Sequence, residues 1–134
     1  MKKFMTASLL TALAFSALVV PSAQAATPVI CLAYDTGGPG DSSFNDAAQA
    51  GLKVAAKKFQ FTLQTTVTSG DAKDRIDRLT ALVNKECTII IAVGTGYAAT
   101  LKELSQTFPE TQFAILNDAT VDALNVTSIV FADI

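Results

Sequence analysis

The 134-residue chain contains no histidine and no tryptophan. Because histidine is the most common general base and metal ligand near neutral pH, its absence argues against catalytic triads and most metal sites. The chain also lacks a run of basic residues, and residues 26–134 hold eight basic residues against 12 acidic ones, a formal net charge of −4. This balance argues against a nucleic acid as partner. We expect neither a metal nor a cofactor.

Long apolar runs are confined to the amino terminus. Met1–Lys3 is positively charged, Phe4–Val20 is apolar and uncharged, and Ala23–Ala25 has the small-x-small pattern of a cleavage site. This pattern predicts a secretory signal peptide over residues 1–25, since the run is short for a membrane anchor. We expect an exported, soluble mature chain beginning near Ala26, periplasmic or extracellular, with no stable membrane span.

Cysteine is scarce, with Cys31 and Cys87 the two in the sequence. Two isolated thiolates lack the further ligands of a metal site. The apolar residues before Cys31 differ from the small residue that precedes a lipidated cysteine. An oxidising compartment favours a disulfide, and each cysteine opens a predicted strand. A Cys31–Cys87 bond is one interpretation, and two buried thiols are the alternative.

The rest of the chain alternates between strand and helix patterns. This alternation predicts an α/β fold with a parallel sheet, helices on both faces and the strand order 2-1-3-4-5. Helical spacing runs over Ala47–Phe59, after Asp71, and around Leu101–Phe108. The predicted strands are Val29–Tyr34, Phe61–Val67, Cys87–Val93, Gln112–Leu116 and Val126–Phe131.

The second predicted helix is rich in charge. Asp71 is suited to the N-cap, and Asp74 in the first turn complements the helix dipole. We interpret the remaining charges as a solvated helix face; they are Lys73, Arg75, Asp77, Arg78 and Lys85.

Three polar or glycine-rich loops follow the predicted strands, at Asp35–Asn45, Gly94–Tyr97 and Asn117–Asp118. Ligands of open parallel sheets bind outside the carboxyl ends of the strands, where these loops would meet. The sequence therefore predicts a ligand site at this edge. Asp41, Ser42 and Ser43 can cap the helix that follows the first loop.

Four side chains in these loops suit a planar polar ligand. Phe44 can stack on a ring, Asp35 and Asn45 can hydrogen-bond its edges, and Asp118 can accept from sugar hydroxyls. Each has an alternative interpretation, because Phe44 can open a helix core, Asp118 can begin a turn, and Gly94 can serve backbone geometry alone.

Enzyme motifs are missing from the glycine-rich loop. Gly37–Gly40 has neither the G-x-G-x-x-G spacing of a dinucleotide site nor the Gly-Lys-Ser/Thr of a phosphate loop. No G-x-S-x-G elbow occurs. A small flavodoxin-like or hydrolase-like enzyme is therefore a weak alternative, and we expect a binding protein.

Four segments together resemble the basic membrane protein family of ABC-transporter substrate-binding proteins, whose characterised members bind purine nucleosides. They are Asp35–Leu52, Cys87–Tyr97, Phe108–Asp118 and Asn125–Phe131. The resemblance implies a lobe of the type I periplasmic-binding-protein fold and an ABC permease as partner.

The same resemblance implies roles for individual residues. Phe44 would stack on the purine, Asp35 and Asn45 would contact the base, and Asp118 would hold ribose hydroxyls. Gly94 forms the glycine turn, and Tyr97 stands where the family often has phenylalanine.

Residues 26–134 match only the amino-terminal lobe of a family whose members clamp the ligand between two lobes. We therefore expect a truncated two-lobe protein that lacks the second lobe. The alternatives are a sugar- or signal-molecule-binding protein of the same two-lobe type and a nonfunctional truncated fragment.

Overall fold

The structure, a computed structural model, describes residues 26–131; the predicted signal peptide lies outside this range. No helix in the described range is long and apolar enough to cross a membrane. The elements are β1 (Val29–Tyr34), α1 (Phe44–Ala56), β2 (Thr62–Val67), α2 (Ala72–Val83), β3 (Ile89–Val93), a 3₁₀ turn (Thr95–Tyr97), α3 (Ala98–Thr107), β4 (Phe113–Leu116) and β5 (Val126–Ile129).

The five strands form one sheet in the order β2-β1-β3-β4-β5, and every neighbouring pair is parallel. The predicted fold class and strand order are confirmed. The element bounds differ by a few residues. Helix α1 begins at Phe44 and ends at Ala56, and Phe59, expected on its apolar face, is 67% exposed.

One face of the sheet carries most of the buried core. Side chains alternate across a strand, and alternate residues of β1, β3 and β4 pack against α2 and α3. The largest fully buried members of this core are Tyr97, Phe113, Leu79, Leu82, Ile90, Leu101 and Ile115.

The opposite face is only partly covered. Helix α1 packs its Ala48 and Leu52 against Leu32 of β1. Beside α1, an open apolar groove of about 490 Å³ runs over β3, β4 and β5. It is lined by residues that include Ile91, Leu116, Ile129 and Phe131. Strands of parallel sheets are normally buried on both faces, so this groove is apolar sheet surface that residues 26–131 leave uncovered.

Cys31 and Cys87 form a disulfide with their Cα atoms 5.9 Å apart. Cys31 lies within β1, and Cys87 lies two residues before β3, which pairs directly with β1. The bond joins positions 56 residues apart in the sequence. The predicted pairing is confirmed, and free thiols are excluded for this structure.

Reduction of this disulfide is expected to destabilise the domain by about 4 kcal/mol, because the bond restricts a long loop of the unfolded chain. The melting temperature should fall in reductant, measured by circular dichroism. In a Cys31→Ala/Cys87→Ala variant, reductant should have no effect. A wild-type mass that does not rise by two hydrogens on reduction under denaturing conditions would contradict the bond.

Candidate functional site

The carboxyl ends of β1, β3 and β4 lie side by side at one edge of the sheet. Asp35 follows β1, Gly94 follows β3 and Asn117 follows β4. The Gly94 N–H donates to Leu116 O at 3.0 Å, and the Asp35 carboxylate occupies the space that a side chain on Gly94 would need. The structure therefore brings the three predicted loops together at this edge.

The glycine-rich loop is held by carboxylates at the start of α1. Asp46 accepts hydrogen bonds from the N–H groups of Gly40 and Ser42, and Asp41 accepts from those of Ser43, Asn45 and Asp46. Desolvation tends to raise the pKa of Asp41, but these N–H donors lower it below its ordinary value. The capping role expected of Asp41 is confirmed, whereas Ser43 at the N-cap makes no side-chain hydrogen bond.

Asn45 is 1% exposed and uses its amide to hold the start of the loop. Its Oδ1 accepts from the Asp35 N–H at 2.9 Å. Its Nδ2 donates to the carbonyls of Asp35 and Thr36, both at 3.4 Å. All three contacts are to backbone, so in this structure the amide braces the loop.

Phe44 stands at the first position of α1 and is 41% exposed. Its ring stacks on Phe131, which follows β5, with the centroids 6.2 Å apart and the planes at 27°. Both rings are part of the lining of the apolar groove beside α1. The Phe44 ring is thus partly accessible at the edge where the loops meet.

Tyr97 is fully buried beneath the same edge. Its hydroxyl donates to Tyr34 O at 2.9 Å, which fixes the 3₁₀ turn to the end of β1. Burial is the main reason that the pKa of Tyr97 is raised to about 12; the charge of Asp35 adds to this, and that of Arg75 opposes it. The hydroxyl therefore keeps its proton at physiological pH.

Asp118 follows β4 and is 8% exposed. Its Oδ1 accepts from both the N–H and the hydroxyl of Thr120, each at 2.7 Å. Asn117 before it has a φ of +65°, a left-handed conformation that turns the chain sharply after the strand. Asp118 is therefore part of a tight turn, with one oxygen held by Thr120.

The interpretation of Arg75 as part of a solvated helix face is wrong. Its side chain is 10% exposed, with Nη1 2.9 Å from Asp35 Oδ1. The guanidinium lies over the Tyr97 ring, 4.7 Å from the centroid. Periodicity could not show this, because Arg75 stands in the first turn of α2, and only the sheet order brings that turn to Asp35.

Asp71 stands at the N-cap of α2 as predicted, but its side chain makes no capping hydrogen bond. The carboxylate that holds the loop between β2 and α2 is that of Asp74. The Asp74 carboxylate accepts from the Ser69 N–H at 2.8 Å and the Thr68 hydroxyl at 2.7 Å. The hydrogen bond from Arg78, followed by those from Ser69 and Thr68, holds the pKa of Asp74 well below its usual range.

Neither this edge nor the rest of residues 26–131 offers a metal site, since no group of three or more Cys, Asp or Glu side chains there is placed to hold an ion. The edge offers the Phe44 ring, the carboxylates of Asp35 and Asp118, and backbone groups of glycine-rich loops.

Residues 29–133 match a family described as ABC transporter substrate-binding protein PnrA-like. The CD4+ T-cell-stimulating antigen of Listeria monocytogenes is 32% identical over 108 residues, which are 78% of this chain and 30% of that protein. An uncharacterized lipoprotein of Pyrococcus abyssi is 29% identical over 93 residues, 68% of this chain and 22% of that protein. The chain thus spans less than a third of the length of these curated relatives.

Two solved structures have the same fold. One is a fragment of a Peptoclostridium difficile 630 protein described as a lipoprotein, with a TM-score of 0.71 and 26% identity over 78% of this chain and 85% of that one. The other is an ABC transporter solute-binding protein of Aeropyrum pernix K1, with a TM-score of 0.69 and 27% identity over 75% of this chain and 28% of that one.

Replacing Asn45 by alanine should loosen the glycine-rich loop, because the Asp35 N–H loses its acceptor. We expect a cost of roughly 1–3 kcal/mol, seen as a drop in melting temperature of roughly 5–15 °C. Asn84→Ala, at an exposed position after α2, is the matched control and should melt near wild type. Equal melting of the two variants would contradict the bracing role.

The lowered pKa of Asp74 should appear in the acid stability of the domain. A carboxylate with a depressed folded-state pKa stabilises above its unfolded pKa, near 3.9, and this contribution is lost as the pH falls further. Asp74→Asn should therefore lower the melting temperature at pH 6, with the gap to wild type closing as the pH falls below about 4.

Asp77→Asn is the control for this titration, because Asp77 makes only an exposed ion pair with Lys73 and such pairs contribute little. A gap between wild type and Asp74→Asn that persists unchanged at pH 2 would contradict the assignment.

Proposed function

The chain belongs to the PnrA-like family of ABC transporter substrate-binding proteins, and we propose that it forms the amino-terminal lobe that captures a purine nucleoside for an ABC importer. The observation that carries this proposal is that the segments holding Asp35, Phe44 and Asp118 lie at one edge of the sheet. The family match over residues 29–133 supports it. Capture and release need no bond chemistry, so we propose no catalytic role.

In the proposed complex, the purine stacks on the exposed face of Phe44. Base–aromatic stacking is tolerant of the base and contributes about 1–3 kcal/mol per base. The Asp35 side chain is 32% exposed, which leaves part of its carboxylate open to ring N–H groups. Asp118 would accept from ribose hydroxyls, which take the place of the Thr120 hydroxyl.

Asn45 and Tyr97 take a different part in the proposal. Both side chains are buried, and their polar atoms are hydrogen-bonded within the lobe. They would serve the ligand by fixing the loops that carry Asp35 and Phe44. Gly94 would let the backbone after β3 approach closely, since its φ of +94° disfavours a side chain.

A second lobe is part of the proposed mechanism. The edge covers one face of a ligand, whereas binding sites usually bury most of a ligand's surface. We propose that a second lobe closes over the other face and that the closed form docks on a permease outside the cytoplasm. The lobe alone should bind weakly, with a dissociation constant of the order of 1 mM.

The test is a titration of the protein with adenosine and inosine, followed by ligand-observed NMR. Phe44→Ala should weaken binding by at least about fivefold, because the stacking surface is lost. Phe59→Ala is the matched control, since Phe59 is exposed beyond the far end of α1, and it should bind as wild type. Ribose should bind more weakly than either nucleoside.

Three results would contradict parts of the proposal. If no binding is seen at nucleoside concentrations several times the expected dissociation constant, nucleosides are not the ligand. If Phe44→Ala and wild type bind the nucleoside equally well, the purine does not stack on Phe44. Micromolar binding by the lobe alone would contradict the need for a second lobe.

A further inference from the structure

Arg75 connects three loops at the candidate site. It lies in the first turn of α2, and its side chain reaches the end of β1 and the 3₁₀ turn after β3. Nε donates to Gly70 O at 3.4 Å, Nη1 lies 2.9 Å from Asp35 Oδ1, and Cζ lies 4.7 Å from the Tyr97 ring centroid. One cation therefore contacts each of the loops that follow β1, β2 and β3.

The contact with Asp35 is ionic in character. Nη1 is completely enclosed, and within residues 26–131 it has no well-aligned hydrogen-bond acceptor despite its closeness to the carboxylate. A buried guanidinium is costly unless an opposite charge compensates it. Asp35 supplies that charge, and Arg75 in turn balances the carboxylate that faces the site.

Two glycines make room for this ion pair. A Cβ on Gly96 would lie 2.7 Å from Arg75 Nη2 and 2.8 Å from Cζ, and a Cβ on Gly94 would lie 2.9 Å from Asp35 Oδ2. Side chains at these positions would push the two charged groups away. The loop after β3 is thus shaped to hold the pair.

We propose that Arg75 is a positioning and specificity-determining residue of the ligand site. It fixes the Asp35 carboxylate against the loop after β3 and cancels its charge, so the site prefers an uncharged ring over a cationic one. This inference rests on the proposed function for its ligand, whereas the pairing with Asp35 can be tested without any ligand.

The ligand-free test is a double-mutant cycle in thermal stability. Arg75→Gln should lower the melting temperature by at least about 5 °C, because it leaves a partly buried carboxylate without its cation. In the Asp35→Asn background, Arg75→Gln should lower the melting temperature much less. Lys73→Gln, which removes an exposed positive charge from the same turn, should cost equally little in both backgrounds.

The ligand test compares adenosine with 1-methyladenosine, a nucleoside that is cationic near neutral pH. The ratio of their affinities cancels the steric effect of the methyl group when variants are compared. Arg75→Gln should move this ratio at least fivefold toward the cation, because the Asp35 charge is then unbalanced. Arg75→Lys keeps the charge but loses the planar guanidinium. It should therefore leave the affinity ratio unchanged while weakening the binding of both ligands.

Each outcome decides part of the inference. Additive melting shifts would overturn the pairing, and a ratio unchanged from wild type in Arg75→Gln would overturn the specificity role. If Arg75→Gln does not fold, Arg75→Lys must preserve the ratio or the role is rejected. If wild type binds neither nucleoside, the proposed function and the specificity role both fail. The ion pair between Arg75 and Asp35 is still tested independently by the double-mutant cycle.

Discussion

Parallel pairing of β1 with β3, and of β3 with β4, places the residue that follows each strand at the same edge of the sheet. Asp35, Gly94 and Asn117 are neighbours for this reason alone, although the sequence separates them widely. Neighbouring strands are only about 5 Å apart, which is why the Asp35 side chain lies against the backbone of Gly94. The candidate site depends on this register, and a shift of one strand would separate its parts.

Most polar atoms at this edge are already engaged with one another. Asp41, Asp46 and Asn45 brace the glycine-rich loop, and Tyr97 fixes the 3₁₀ turn. A loop held in this way loses little entropy when a ligand arrives, which favours affinity. The Phe44 ring and part of the Asp35 carboxylate are among the groups left accessible, and they define one side of the proposed site.

The strand order and the cap at Asp41 could be predicted because each follows from a local pattern or from the order of elements, whereas for the two cysteines the sequence also allowed buried thiols. The buried position of Arg75 could not, since a charged residue in a helix pattern is normally solvated and its partner lies 40 positions earlier. The engagement of Asn45 and Tyr97 with backbone also depends on tertiary contacts. Their residue types indicated polar function, but the sequence could not distinguish contact with a ligand from support of a loop.

We propose that a purine nucleoside binds where the loops after β1, β3 and β4 meet. An amide chemical-shift map of the isotope-labelled protein, titrated with adenosine, would locate the bound nucleoside. We expect the shifts to be concentrated in residues 35–45, 94–97 and 117–120. Shifts concentrated at the opposite edge, around residues 59–62 and 111–113, would contradict it.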